Sequence, residues 1–189
     1  DVDQDTFTVT PATIEQAFSS RTRAIVAVHL FGQCCDMAPI LSFAAEHSLF
    51  VIEDNAQSMG AVYTFPEGFT RMAGAMGVIG TTSFFPSKPL ACYGDGGAMF
   101  TRNQRIAAAL SMIANHGQQT KYHHQRIGCN SRLDTIQAAV LEVKLAHLGE
   151  FTSARQEVAR LYDEAFQLCQ EIKKPVRAAY STHVYHQYT

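Results

Sequence analysis

Short apolar runs of strand length, alternating with helix-like segments, constrain this chain more than any other feature. Ala24 to Phe31 is such a run and stops at Gly32; Leu49 to Glu53 is a second. Val78 to Phe85 reads as a third strand and Ala98 to Thr101 as a short fourth. Between them, Thr10 and Pro11 open a helix as N-cap and first helical residue, Pro39 to His47 has helical spacing, and Asn103 caps a helix through Ala114. Strands apolar throughout that alternate with helices imply a sheet covered on both faces, hence a layered α/β fold. Ligands of such sheets bind beyond the carboxyl ends of the strands. Asp54 follows the second run and Lys88 the third, so both are expected at that edge.

Downstream, Leu133 to Cys169 keeps the 3–4 spacing of one buried stripe, from Ile136, Val140 and Val143 to Leu161 and Ala165, with Gly149 as the expected break. Pro175 ends the helical region. The segment His183 to Thr189 reads like the entry to another strand. Residues 1–175 are therefore expected to form one large domain, including the helical region 133–169. Residues 176–189 are expected to lead toward a further small domain of a longer polypeptide.

With 189 residues, 47% of them hydrophobic and 17% charged, the chain is globular in composition. A net charge of −2 argues against a general nucleic-acid binder. No apolar stretch has the length to cross a bilayer, and the five cysteines read as reduced thiols of a cytosolic protein. Residues 97–132 contain no Asp or Glu but five Lys or Arg and three His, which favours an anionic ligand, with a solvated basic loop as the plain alternative. Arg132 in this stretch has the geometry to grip a carboxylate or phosphate with both arms. The histidines and Cys129 have no ordered metal-ligand spacing, so no metal is expected.

An amine and a carboxylate at neighbouring strand ends are the two groups that pyridoxal phosphate chemistry requires. The lysine can form an imine with the cofactor aldehyde, and the aspartate can keep the pyridine nitrogen protonated. Each residue also has an ordinary reading. Asp54 with Gln57 three residues on resembles a helix-capping box, and Lys88 could be a loop lysine at the surface. Phe84, Phe85 and Pro86 before Lys88 and Pro89 and Leu90 after it give an apolar, stiffened setting that suits a nucleophilic amine. The Ser83 hydroxyl, five positions earlier, could take a phosphate oxygen. The run Gly94 to Gly97 is either a turn or a place where the backbone passes close to a lysine-bound group.

The runs Val51 to Ala61 (VIEDNAQSMGA), Ser83 to Leu90 (SFFPSKPL), Gly94 to Ala98 and Ile127 to Leu133 resemble the DegT/DnrJ/EryC1/StrS family of pyridoxal-phosphate nucleotide-sugar aminotransferases. The resemblance covers nearly the whole chain. It implies the large domain of an aspartate aminotransferase-like fold (fold type I), three α/β/α layers around a mostly parallel sheet. It also implies that Lys88 carries the cofactor, Asp54 pairs with the pyridine nitrogen, Gln57 lies near the ring hydroxyl and Ser83 binds phosphate. Asn130 matches the residue that reaches the phosphate of a neighbouring subunit, which implies a homodimer with shared sites. The lysine sets the chain apart from the dehydratase branch, which has histidine there.

Within the family, Phe84 to Leu90, Cys92 to Gly97 and Tyr122 to Thr135 resemble the branch acting on UDP-2-acetamido-2-deoxy-3-oxo-D-glucuronate. That branch implies a UDP-linked keto-sugar as substrate, glutamate as amino donor, a uronate carboxylate for Arg132 and a cytoplasmic role in building bacterial surface polysaccharide such as O-antigen or lipopolysaccharide. Other family members that aminate 4-keto or different nucleotide sugars remain the alternative, as does a non-catalytic interaction module with the same fold. An NAD-dependent epimerase would need a G-x-G-x-x-G motif after a strand, and the sequence has none. Family chains are longer at both ends. The glycine-rich phosphate turn, the ring-stacking aromatic and the small C-terminal domain lie outside these 189 residues.

Overall fold

The computed structural model describes residues 1–189. Its centre is a four-stranded sheet in the order β1-β2-β5-β6, formed by β1 (Ala24–Val28), β2 (Phe50–Asp54), β5 (Ile79–Ser83) and β6 (Gly97–Phe100). β1, β2 and β5 run parallel, and β6 returns antiparallel along β5. The first helix, α1 (Pro11–Ala17), starts at Thr10 with reciprocal hydrogen bonds between Thr10 and Thr13, and Pro11 occupies the first turn. Helix α2 (Met37–Glu46) crosses from β1 to β2. Two small hairpins flank the sheet, β3 (Val62–Thr64) with β4 (Thr70–Met72), and β7 (Gln118–Thr120) with β8 (His123–His124). Helix α3 (Gln104–Ala114) follows β6, its first amides capped by the Asn103 side chain.

The main core lies on one sheet face. Ile25 and Ala27 of β1 and Val51 of β2 meet Met37, Ile40 and Ala44 of α2, with Tyr63 and Val184 closing the cluster. The opposite face is more open, since Val26 is 54% and Phe50 61% exposed there. Double-sided cover, expected from the apolar strands, is therefore uneven. Helix α4 (Thr135–Ala146) contributes Leu141 to a second cluster with Phe84, Leu90 and Cys92, and Leu148 at the start of α5 (Leu148–Ala165) packs against it.

Several element boundaries differ from the sequence reading; the first strand ends at Val28, not Phe31, because Leu30–Gly32 form a 3-10 turn. The third strand is shorter than Val78 to Phe85, because the Phe84 carbonyl accepts the Cys92 amide and the Phe85 amide turns back to Ser83 Oγ. The long helical region breaks at His147, which closes α4 and opens α5, while Gly149 sits inside α5. The tail forms no strand. Isolated bridges from Ser181 to Tyr63 and from His183 to Gln33 carry it across the core, and Tyr185, with φ +48°, then turns it away.

Candidate active site

Strand register decides which side chains share the carboxyl-end edge. Asp54 pairs with Thr81 across β2 and β5. Side chains alternate along a strand, so Asp54, Thr81 and Ser83 lie on one face and Glu53 on the other. Burial follows the same alternation: Glu53 and Thr82 are buried, whereas Asp54, Thr81 and Ser83 are half-buried.

Asp54 uses Oδ1 to accept the Ala56 amide at 3.0 Å, and no helix follows it. The capping box with Gln57 does not form. The Gln57 side-chain oxygen Oε1 instead accepts the Phe31 amide at 2.7 Å. Ser83 Oγ accepts the Phe85 amide at 3.2 Å, which leaves its own hydrogen available. Lys88 stands after a turn closed by its own amide on the Phe85 carbonyl at 2.9 Å. Its amine makes no hydrogen bond or ion pair; the side chain lines a cleft of about 640 Å³ with Arg155 and Tyr162 of α5 and with Tyr185, His186 and Tyr188 of the tail.

Asn130 and Arg132 are exposed and joined by an Arg132 Nε donation to Asn130 Oδ1 at 2.9 Å. They line a separate hollow of about 530 Å³ with Thr81, Thr82 and Gly97. Asp54, Gln57 and Ser83 thus gather at the ends of β2 and β5, and Lys88 opens into its own cleft. Asn130 and Arg132 are not part of that cleft. The Gly94 to Gly97 run does not crowd Lys88. A Cβ on Gly96 would meet Leu133, Cys92 and Phe84, and one on Gly97 would lie 2.8 Å from the Thr82 carbonyl oxygen. These glycines let the loop pack against β5.

The donor set suits a protonated pyridine ring bearing a phosphate. Asp54 keeps one carboxylate oxygen without a hydrogen bond, and the Ser83 hydroxyl and the Gln57 amide group each keep hydrogens to donate. The Lys88 amine is unpaired as an imine-forming lysine requires.

Three residues near the site were not singled out in the sequence. His29 and Glu53 are fully buried, and His29 Nε2 donates to Glu53 Oε2 at 2.8 Å. Glu53 also accepts the amides of Gly74 (2.8 Å) and Met76 (2.6 Å) and that of Gly77. Burial works to raise the Glu53 pKa, yet the His29 N–H and the Gly77 and Gly74 amides hold the carboxyl below its usual range. Their only signal was one polar residue in each of two apolar runs. His186 is the third. Burial, followed by the nearby Lys88 and Arg155 cations, lowers its pKa, and its Nδ1 is buried without a partner.

The profile of the DegT/DnrJ/EryC1/StrS aminotransferase family matches residues 1–189. The chain is 44% identical over 189 residues to a UDP-2-acetamido-2-deoxy-3-oxo-D-glucuronate aminotransferase of Pseudomonas aeruginosa, covering 100% of this chain and 51% of that protein. Among solved structures, S. venezuelae DesV in complex with a ketimine intermediate superposes with a TM-score of 0.91 at 40% identity, over 98% of this chain and 49% of that one. NtdA from Bacillus subtilis with bound cofactor PMP superposes with a TM-score of 0.86 at 30% identity, over 100% of this chain and 42% of that one. The chain spans about half the length of these relatives.

Proposed function

The chain belongs to the DegT/DnrJ/EryC1/StrS aminotransferase family, and from this premise we propose that it acts in a pyridoxal-phosphate-dependent nucleotide-sugar aminotransferase. The cofactor, when bound, supplies an aldehyde that takes up amines and a ring that draws electron density from the reacting carbon. The residues of this chain supply the rest. Lys88 offers the amine that anchors the cofactor, and once displaced it moves a proton at the carbon bearing the transferred nitrogen. Asp54 accepts the ring N–H with its uncommitted oxygen and keeps that nitrogen protonated. Ser83 donates to phosphate, and the Gln57 amide group donates toward the ring hydroxyl.

What supports this reading is the register that puts Asp54 and Ser83 on one sheet face, each with hydrogen-bonding capacity to spare, together with a Lys88 amine that makes no hydrogen bond or ion pair. The finer assignment takes its acceptor, a UDP-linked 3-keto uronate, from the name of the Pseudomonas relative; glutamate as donor and a cytoplasmic role in surface polysaccharide assembly follow from the sequence resemblance alone. Arg132 would grip the uronate carboxylate. Asn130, exposed on its own hollow beside the 98% exposed Ile127, would serve the site of a second copy in a homodimer.

The test is a visible absorption spectrum of the chain with added pyridoxal phosphate, with and without borohydride, beside Lys88→Ala. A band that borohydride traps and Lys88→Ala abolishes is the expected outcome. A trapped adduct that persists in Lys88→Ala would overturn the assignment of the lysine.

A further inference from the structure

The buried pair behind Asp54 belongs to no step of the chemistry above, although it holds the residues that do. His29 is fully buried and uses all four of its hydrogen-bonding groups. Its backbone amide donates to the Asp54 carbonyl at 3.0 Å. Its Nε2 donates to Glu53 Oε2 at 2.8 Å, and its Nδ1 accepts the Cys35 amide at 3.1 Å. A backbone amide can only donate, so this contact fixes the ring hydrogen on Nε2 and points it at Glu53. The Ser58 hydroxyl donates to the His29 carbonyl. Two residues on, Phe31 sits at φ +59°, ψ −3°, a backbone conformation uncommon for a bulky residue, and its amide holds the Gln57 carbonyl oxygen. That contact turns the Gln57 amide hydrogens the other way. Segment 29–35 is therefore a mould for segment 53–58, gripping it at Glu53, Asp54, Gln57 and Ser58.

Glu53 extends the mould to the next loop, since its carboxylate collects the amides of Gly74, Met76 and Gly77 immediately before β5. One side chain thus ties together the end of β1, the end of β2 and the entry to β5.

We propose that His29 and Glu53 are positioning residues that set the direction of the Asp54 carboxylate and the Gln57 amide toward the cofactor. Resting on the reading above, the inference assigns them no contact with cofactor or substrate. Groups whose supports are pre-set need no rearrangement on binding, and loss of a support leaves its buried partners unsatisfied.

The experiment titrates pyridoxal phosphate into the full chain and its variants, and records the dissociation constant, the position and pH midpoint of the Lys88-dependent band, and the melting temperature. The variants are Glu53→Gln, Ser58→Ala as a milder cut on the same network, and Ile40→Ala in the core under α2 as a stability control. Glu53→Gln and Ser58→Ala are expected to weaken binding, by up to about tenfold for Glu53→Gln, and to move the band. Ile40→Ala should lower the melting temperature while leaving affinity and band as in the wild type. Should Glu53→Gln fail to fold, Ser58→Ala carries the test. Wild-type affinity and band in both site variants, with only their stability reduced, would overturn the proposal. A wild-type chain without a Lys88-dependent band would overturn the aminotransferase reading itself, and this inference with it.

Discussion

Asp54 and Glu53 are adjacent carboxylates with opposite surroundings, and the strand pleat alone separates them. Glu53 is enclosed by donors, whereas Asp54 spends one oxygen on its own turn and keeps the other. Replacing Asp54 by Asn keeps the oxygen that accepts the Ala56 amide but removes the charge proposed to hold a pyridine nitrogen protonated. Asp54→Asn should therefore melt like the wild type and still trap cofactor at Lys88. Transamination should fall by about 100-fold or more, read as a drop in kcat under saturating substrates. Glu53→Gln should behave in the opposite order. It puts an NH₂ against backbone amides that need an acceptor, and should cost about 1–3 kcal/mol of stability in denaturant titration. Asp54 and Lys88 stood out in the sequence because each follows an apolar run, a local signal. The His29–Glu53 pair could not, because only the parallel pairing of β1 with β2 brings residues 24 positions apart into contact. The Gln57 contact with Phe31 was hidden for the same reason, and a capping box was the natural misreading.

At the level of elements, helix starts were the most legible parts, since caps are written in adjacent residues. Asn103 accepts the amides of Arg105 and Ile106 at 2.9 and 3.2 Å, and α3 has no buried residue to hold it otherwise. Asn103→Ala is expected to cost about 1 kcal/mol, measured by denaturant unfolding. Loss of exchange protection should be confined to α3. The hairpins β3–β4 and β7–β8 escaped notice because strands of two or three residues, such as Thr70–Met72 and His123–His124, are too short to display a period. The break between α4 and α5 was misplaced for a different reason. Gly149 is the weaker helix former, yet its position meets nothing within 4 Å, so it can stay helical while His147 takes the turn.

For the whole molecule, pH is the sharpest test of how the tail is held. His183 Nδ1 accepts the Tyr185 amide at 3.0 Å, a contact only the unprotonated ring can make. Burial, with the Arg177 cation adding to it, lowers its pKa from 6.5 to about 4. The unfolded chain therefore binds the proton more readily than the folded one. Stability is complete above pH 6.5 and is lost as the pH falls toward about 4, by an upper limit of about 3 kcal/mol. Glu53, whose pKa is depressed in the fold, adds a further loss below its ordinary value of 4.5. Melting temperatures across this range should fall with acid, and His183→Asn, which keeps an acceptor for Tyr185, should flatten the upper part of the fall. The parallel sheet and the tail's course over it thus have a measurable signature, although only the sheet was foreseeable from the sequence. The pleat of β2 also limits how a gene for this fold can change. Inserting or deleting one codon between Phe50 and Glu53 would turn the side chains that follow it to the other face and exchange the tasks of the two carboxylates. Descendants can vary this strand by substitution, but a change in its length would have to be matched by a second one before Asp54.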